Sequence, residues 1–160
     1  GGLGQMALAL YNKWGCEVTA FTASESNVEE AKKLGAHRCV NSRDDKAIEA
    51  EAGHFDLILN TANADLSWDL YINALAPKGV LHTVGVTPSP IALQPFPLIA
   101  GQRSLAATPL GSPATTAKML EFAARHDITP VTEQYKLSDV NDAMEHLRAN
   151  KARYRIVLEV

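Results

Sequence analysis

The spacing of apolar and polar residues switches period repeatedly along the chain. From Met6 to Trp14 apolar residues crowd a helical stretch that halts at Gly15, which predicts a helix over about 4–14. Residues 17–22 are β-branched and aromatic and read as a short strand. Ser26-Asn27-Val28-Glu29 has the form of a capping box; the helix it opens carries Val28, Ala31 and Leu34 inward and stops at Gly35. A strand at 38–41 and a polar, exposed helix at 44–52 follow. Residues 55–60 are almost continuously apolar, the pattern of a strand buried on both faces. A helix at 66–75 ends at Pro77-Lys78-Gly79, and a second buried strand spans 79–85.

Residues 87–97 hold four prolines and read as a loop, followed by a short helix at 98–101 and a strand at 104–108. Ser112-Pro113 is an N-cap and first-turn pair opening a helix in which Ala117, Leu120 and Ala124 share a face. After Asp127 the character changes. A strand at 131–135 precedes a helix capped by Ser138, with Val140, Ala143, Met144 and Leu147 at i, i+3, i+4 and i+7, and 153–158 is a closing strand. Strands separated by helices predict an α/β fold with a doubly wound parallel sheet, which binds ligands at the carboxyl ends of its strands.

Composition narrows the function classes. The chain has 160 residues, 46% hydrophobic and 21% charged, which suits an ordinary globular domain. A net charge of −3 without a basic block argues against nucleic acid as a partner. No apolar run reaches the length of a membrane span, and no signal-peptide pattern is present. Cys16 and Cys39 are far apart and flanked by apolar residues, so they read as small hydrophobes in a reducing, cytoplasmic setting.

The chemistry gathers at Gly1-Gly2-Leu3-Gly4-Gln5-Met6-Ala7. It reads as the glycine turn before a helix whose N-terminus holds a pyrophosphate, because free N–H groups and the helix dipole favour an anion there. The dinucleotide fingerprint is G-x-G-x-x-G after a strand, and Gly1-x-x-Gly4 matches its second and third glycines. The first glycine and its strand are expected upstream of residue 1, which leaves two neighbouring strands with unpaired edges. At the end of the second expected strand, Thr22 and Ser24 stand where an NAD-binding domain places Asp or Glu. Hydroxyls donate to a 2′-phosphate that a carboxylate would repel, so these residues lean toward NADP.

Other chemistries fail on spacing. The four tyrosines are followed at Tyr-x-x-x-Lys spacing by Gly15, Leu75, Asp139 and Leu158, and neither a P-loop nor G-x-S-x-G occurs. His37, His54, His82, His126 and His146 form no ligand pair at helical spacing and read as ordinary core or surface histidines. Arg153 and Arg155 flank Tyr154 near the C-terminus and share one face of a strand; contact with an anionic cofactor and plain exposure are both open to them, and they are left out of the expected site.

Four blocks occur in order: the glycine turn; Phe21-Thr22-Ala23-Ser24; Ala31-Lys32-Lys33-Leu34-Gly35-Ala36; and Asp56-Leu57-Ile58-Leu59-Asn60-Thr61. Val84-Gly85, Met119-Leu120 and Tyr154-Arg155 continue the series. Together they resemble the cinnamyl-alcohol-dehydrogenase-like branch of the zinc-dependent alcohol dehydrogenases, within the medium-chain dehydrogenase/reductase superfamily. The resemblance implies a Rossmann cofactor domain over 1–126, truncated at its start, and a returning piece of the catalytic domain over 127–160. It implies an NADP(H)-dependent alcohol dehydrogenase or aldehyde reductase. Its zinc ligands lie in an N-terminal part outside this chain, so no catalytic or metal-binding residue is expected here. Possible partners are an alcohol or aldehyde, the missing catalytic segment and a second copy of the chain.

Carried over by position, the resemblance implies that Gly2, Leu3 and Gly4 meet the pyrophosphate and that Thr22 and Ser24 face the 2′-phosphate. The family places Lys or Arg just after this serine stretch, where Ser26 and Asn27 stand. Thr61 would approach the ribose and Val84, Gly85 and Val86 the nicotinamide. Thr108, Pro109 and Leu110 would hold the carboxamide, with Pro109 offering no N–H. A reading from a different class is a non-catalytic dinucleotide-binding module that senses the nicotinamide redox state.

Overall fold

The computed structural model describes residues 1–149 and 151–160. Helix α1 (Gly2–Lys13) begins two residues before the expected start, and Gly15 follows it at φ +90°, a conformation that costs a side chain dearly. Strand β1 (Thr19–Thr22) pairs in parallel with β2 (Arg38–Asn41). Between them lies helix α2 (Val28–Lys33). The capping box does not form. Residues 25–27 make a 3-10 turn, and Ser26 Oγ is engaged 2.7 Å from Ser24 Oγ.

Helix α3 (Asp45–Glu49) is shorter than expected and is capped by Asp44, whose carboxylate accepts from the N–H groups of Lys46 and Ala47. It is not wholly exposed, because Ile48 retains only 1% of its surface. Strand β3 (Phe55–Asn60) has the expected bounds, but Asp56 and Leu57 are exposed, so it is not buried on both faces. The reason is topological. β3 borders a three-stranded parallel sheet in the order β3-β4-β5, with β4 at Leu75–Thr83 and β5 at Ser104–Ala107. Among the described residues β3 has no strand on its other side, and neither has β1 on the side away from β2. The expected free edges fall on these two strands.

Helix α4 (Trp68–Ala74) runs directly into β4, so Pro77-Lys78-Gly79 lies within an irregular stretch of strand rather than ending a helix. The register shifts between Phe55 and Leu57, and Lys78 takes φ +66° there. The proline segment yields a longer helix than expected, α5 (Pro95–Gly101), because prolines in a first turn lose no hydrogen bond. Helix α6 (Pro113–Arg125) opens on Ser112, which caps Thr115 N–H as expected; the face of Ala117, Leu120 and Ala124 is exposed, and Ala123 is the buried residue.

The last unit is β6 (Thr132–Lys136), α7 (Val140–Arg148) and β7 (Arg155–Glu159), with β6 and β7 parallel. Ser138 does not cap α7: its hydroxyl donates to Asp139 Oδ1 instead. Ala143 is buried while Met144 and Leu147 stay exposed.

The core lies where α3 and α4 cover the β3-β4 sheet. Ile48, Ile58, Trp68, Tyr71, Ile72, Ala74, Leu75 and Leu81 form one buried cluster, with Phe21 and Phe55 packed edge-on beside it. Ile48, Ile72, Leu75 and Leu81 are fully buried, each contributing roughly 1.5–3 kcal/mol of apolar transfer energy. This rigid block sets the positions of the strand ends, and the candidate site is built from those ends.

Candidate dinucleotide-binding site

The first turn of α1 fits an anion by its backbone alone. Gln5 N–H makes the first intrahelical bond, to the Gly1 carbonyl at 3.0 Å. The N–H groups of Gly2, Leu3 and Gly4 precede it at the open end of the helix, where the dipole is positive. A Cβ on Gly2 would stand 2.9 Å from Arg155 Nε, and one on Gly4 would stand 3.5 Å from Thr61 Oγ1. Gly2 therefore leaves a cradle that a side chain would fill, next to a guanidinium. This arrangement suits a pyrophosphate.

Arg155 is the residue that sequence reasoning weighed for an anionic cofactor and left out of the site. It is exposed, and β7 carries it to the glycine turn. A second long-range tie holds that arrangement. Gln5, almost fully buried, accepts the Val131 N–H on Oε1 at 3.1 Å, and the Val131 carbonyl accepts the Tyr154 and Arg155 N–H groups. No local signal marks this, because a strand arginine beside a helix glycine is a product of the fold.

Thr61 and the β4 end meet the same turn. Val84 and Gly85 donate their N–H groups to the Asn60 carbonyl at 3.0 and 3.2 Å, and Val86 N–H donates to Asn63 Oδ1 at 2.9 Å. A Cβ on Gly85 would overlap the Ala62 carbonyl. The structure thus brings Gly4, Thr61 and Val84–Val86 into one continuous surface. Thr108 is tied to β4 by His82, whose Nε2 lies 2.9 Å from Thr108 Oγ1. Pro109 and Leu110 follow fully in the open, Leu110 at 81% exposure.

Thr22 and Ser24 end β1 on the second sheet. Thr22 Oγ1 contacts the Ser24 backbone at 3.4 Å, and the Ser24 and Ser26 hydroxyls pair. Asn41 lies opposite Thr22 in the parallel register, and Ser42 N–H donates to the Thr22 carbonyl at 3.0 Å. Arg43 comes next in the chain, is exposed, and donates its backbone N–H to Asn41 Oδ1 at 3.0 Å.

The histidines are spent on structure. His37 Nδ1 accepts Val18 N–H, His54 packs edge-on against Phe55, His126 packs at a tilt against Phe122, and His146 lies 2.8 Å from Glu133. Among the described residues no three His, Cys, Asp or Glu side chains gather as a metal ion requires, and Cys16 and Cys39 are free thiols. The residues present do not fit a zinc site. No helix among the described residues is long and apolar enough to cross a membrane.

Residues 2–125 match the family model described as zinc-binding dehydrogenase. An aldehyde reductase, AdhA, from Synechocystis sp. is 51% identical over 158 residues, covering 99% of this chain and 47% of the relative. The NADP-dependent alcohol dehydrogenase C of Mycobacterium bovis is 37% identical over 160 residues, covering all of this chain and 46% of the relative. Among solved structures, the cinnamyl alcohol dehydrogenase SbCAD4 from Sorghum bicolor superposes with a TM-score of 0.91 at 33% identity, covering 99% of this chain and 45% of that one. The chain spans about half the length of the curated relatives it matches. The family model covers well over half of the chain, so this chain is a member of the zinc-binding dehydrogenase family.

Proposed function

We propose that this chain is the cofactor-binding part of an NADP(H)-dependent zinc alcohol dehydrogenase or aldehyde reductase acting on a small alcohol or aldehyde in the cytoplasm. In this reading 1–126 is the dinucleotide-binding domain and 127–160 belongs to the catalytic domain, whose remainder supplies the zinc. The observation that carries it is the glycine turn of α1 with Arg155 on one side and Thr61 on the other. The names of the aldehyde reductase and NADP-dependent relatives support the same reading.

Each group has a stated task. The N–H groups of Gly2, Leu3 and Gly4 and the Arg155 guanidinium hold the pyrophosphate. Thr22, Ser24 and Arg43 hold the 2′-phosphate, the hydroxyls donating and the guanidinium supplying charge. Thr61 meets the ribose. Val84, Gly85 and Val86 support the nicotinamide, and Thr108, Pro109 and Leu110 hold its carboxamide. When bound, the nicotinamide supplies hydride exchange with a carbonyl carbon, and the protein's contribution is binding and orientation. A homodimer fits the β5 edge, which among the described residues pairs with β4 alone.

The test is a parallel titration of the intact protein with NADPH and NADH, together with its zinc content and aldehyde-reduction assays. NADPH is expected to bind roughly tenfold or more tightly than NADH, and Arg43→Ala is expected to remove most of that preference, as loss of one charge-assisted contact would. Equal affinities would overturn NADP specificity, and absence of binding by either cofactor would overturn the dinucleotide reading. Binding without turnover in zinc-loaded protein would indicate a redox-sensing module.

A further inference from the structure

Asn60 is buried to 6% exposure at the carboxyl end of β3; its side chain bonds no residue assigned to the cofactor, yet its oxygen and its nitrogen both have partners. Its Oδ1 accepts Ala62 N–H at 3.0 Å. A backbone N–H only donates, so the atom facing it is the amide oxygen, and Nδ2 necessarily points the other way. Nδ2 lies 3.1 Å from Thr83 Oγ1 and 3.4 Å from the Ala62 carbonyl. An amide NH2 only donates, so Thr83 Oγ1 accepts there. The single Thr83 hydroxyl proton then goes to the Gly85 carbonyl, 3.0 Å away. The polarity of the chain is thus determined at every step: Asn60 donates to Thr83, and Thr83 donates to Gly85.

This relay adds a side-chain tie between two loops that backbone bonds already join. The Asn60 backbone carbonyl already receives Val84 and Gly85, and Asn63 receives Val86. Gly85 approaches the Ala62 carbonyl so closely that no Cβ fits between them. A contact that tight needs a fixed height, and the relay supplies it from below.

We propose that Asn60 and Thr83 are positioning residues that set the height and tilt of the Val84–Val86 segment, and thereby the nicotinamide end of the bound cofactor. This rests on the cofactor reading above. The relay acts on one end of the dinucleotide only, since Thr22, Ser24 and the glycine turn make no hydrogen bond to it. An aspartate at position 60 reverses the polarity: a carboxylate accepts from the Thr83 hydroxyl, and the Gly85 carbonyl loses its donor.

The experiment compares two ligands on the intact protein: NADPH, and 2′,5′-ADP, which lacks the nicotinamide half. Thr83→Val and Asn60→Asp are expected to weaken NADPH about tenfold and to leave 2′,5′-ADP within about twofold of wild type. Thr83→Ser restores the hydroxyl and is expected to recover NADPH affinity. Equal weakening of both ligands by Thr83→Val would overturn the proposal in favour of a merely structural role, as would unchanged NADPH affinity. If Asn60→Asp does not fold, the Thr83→Val and Thr83→Ser pair decides alone, because Thr83 is half-buried and valine is its isostere. Wild-type protein that binds 2′,5′-ADP but not NADPH would also overturn the proposal, and protein that binds neither would instead sink the cofactor reading.

Discussion

Arg155 stands beside Gly2 from the far end of the chain, and the meaning of each residue depends on the other. Alone, Gly2 is a loop glycine and Arg155 a strand-surface cation. Together they form a positively charged cradle at a helix N-terminus. A guanidinium on a phosphate oxygen makes a charge-assisted bond worth about 1.5–3 kcal/mol. Arg155→Leu is therefore expected to raise the NADPH dissociation constant roughly tenfold to a hundredfold. The thermal midpoint should barely move, because the side chain is exposed. Fluorescence titration beside a melt checks both, and an unchanged dissociation constant would remove Arg155 from the proposed site. Glycine spacing was legible because a backbone constraint is local. The arginine was not, because no local pattern separates a solvated strand cation from one delivered to a helix end.

At the scale of elements, α3 is instructive. Its sequence is polar and alanine-rich, and it read as an exposed helix. The structure agrees on the helix, shows Asp44 as its cap, and turns Ile48 into the core against α4 and the β3-β4 sheet. One buried side chain among charged neighbours does not make a periodic stripe, so pattern alone could not find it. Ile48→Ala is expected to cost about 2–5 kcal/mol in urea unfolding, the range for emptying a packed site. A cost within about 0.5 kcal/mol would instead return α3 to the surface. The strand β3 errs in the opposite sense. Its apolar run predicted burial on both faces, but Leu57 is 43% exposed among the described residues because β3 stands at a sheet edge. Strand composition reports which residues tolerate burial; the neighbouring elements decide whether burial occurs.

At the scale of the whole molecule, the closing unit docks on the beginning of the chain. Gln5 bonds Val131, Arg155 meets Gly2, and Arg153 lies 3.9 Å from Glu30. Tyr154 sits in the same seam. Burial, first, and then the neighbouring Glu30 carboxylate push its hydroxyl up to about 12, while Arg153 opposes them. The folded state thus holds this proton more tightly than the unfolded chain, whose tyrosines titrate near about 10. The contribution is complete below about pH 10 and is lost as the pH rises toward about 12. Urea midpoints measured across that window should fall with pH, and Tyr154→Phe should flatten part of the fall. An identical decline in the variant would dissociate Tyr154 from the seam. By itself the sequence determined the alternation of strands and helices, the glycine turn, the Ser112 and Asp44 helix starts, and the family these belong to. Those follow from local backbone preferences and from residue order. Only the tertiary structure decided that Arg155 stands beside Gly2, that Ile48 is core, and that Asn60 and Thr83 tie two loops together. Each of these depends on which strand ends lie side by side, and that is set by packing between residues far apart in the chain.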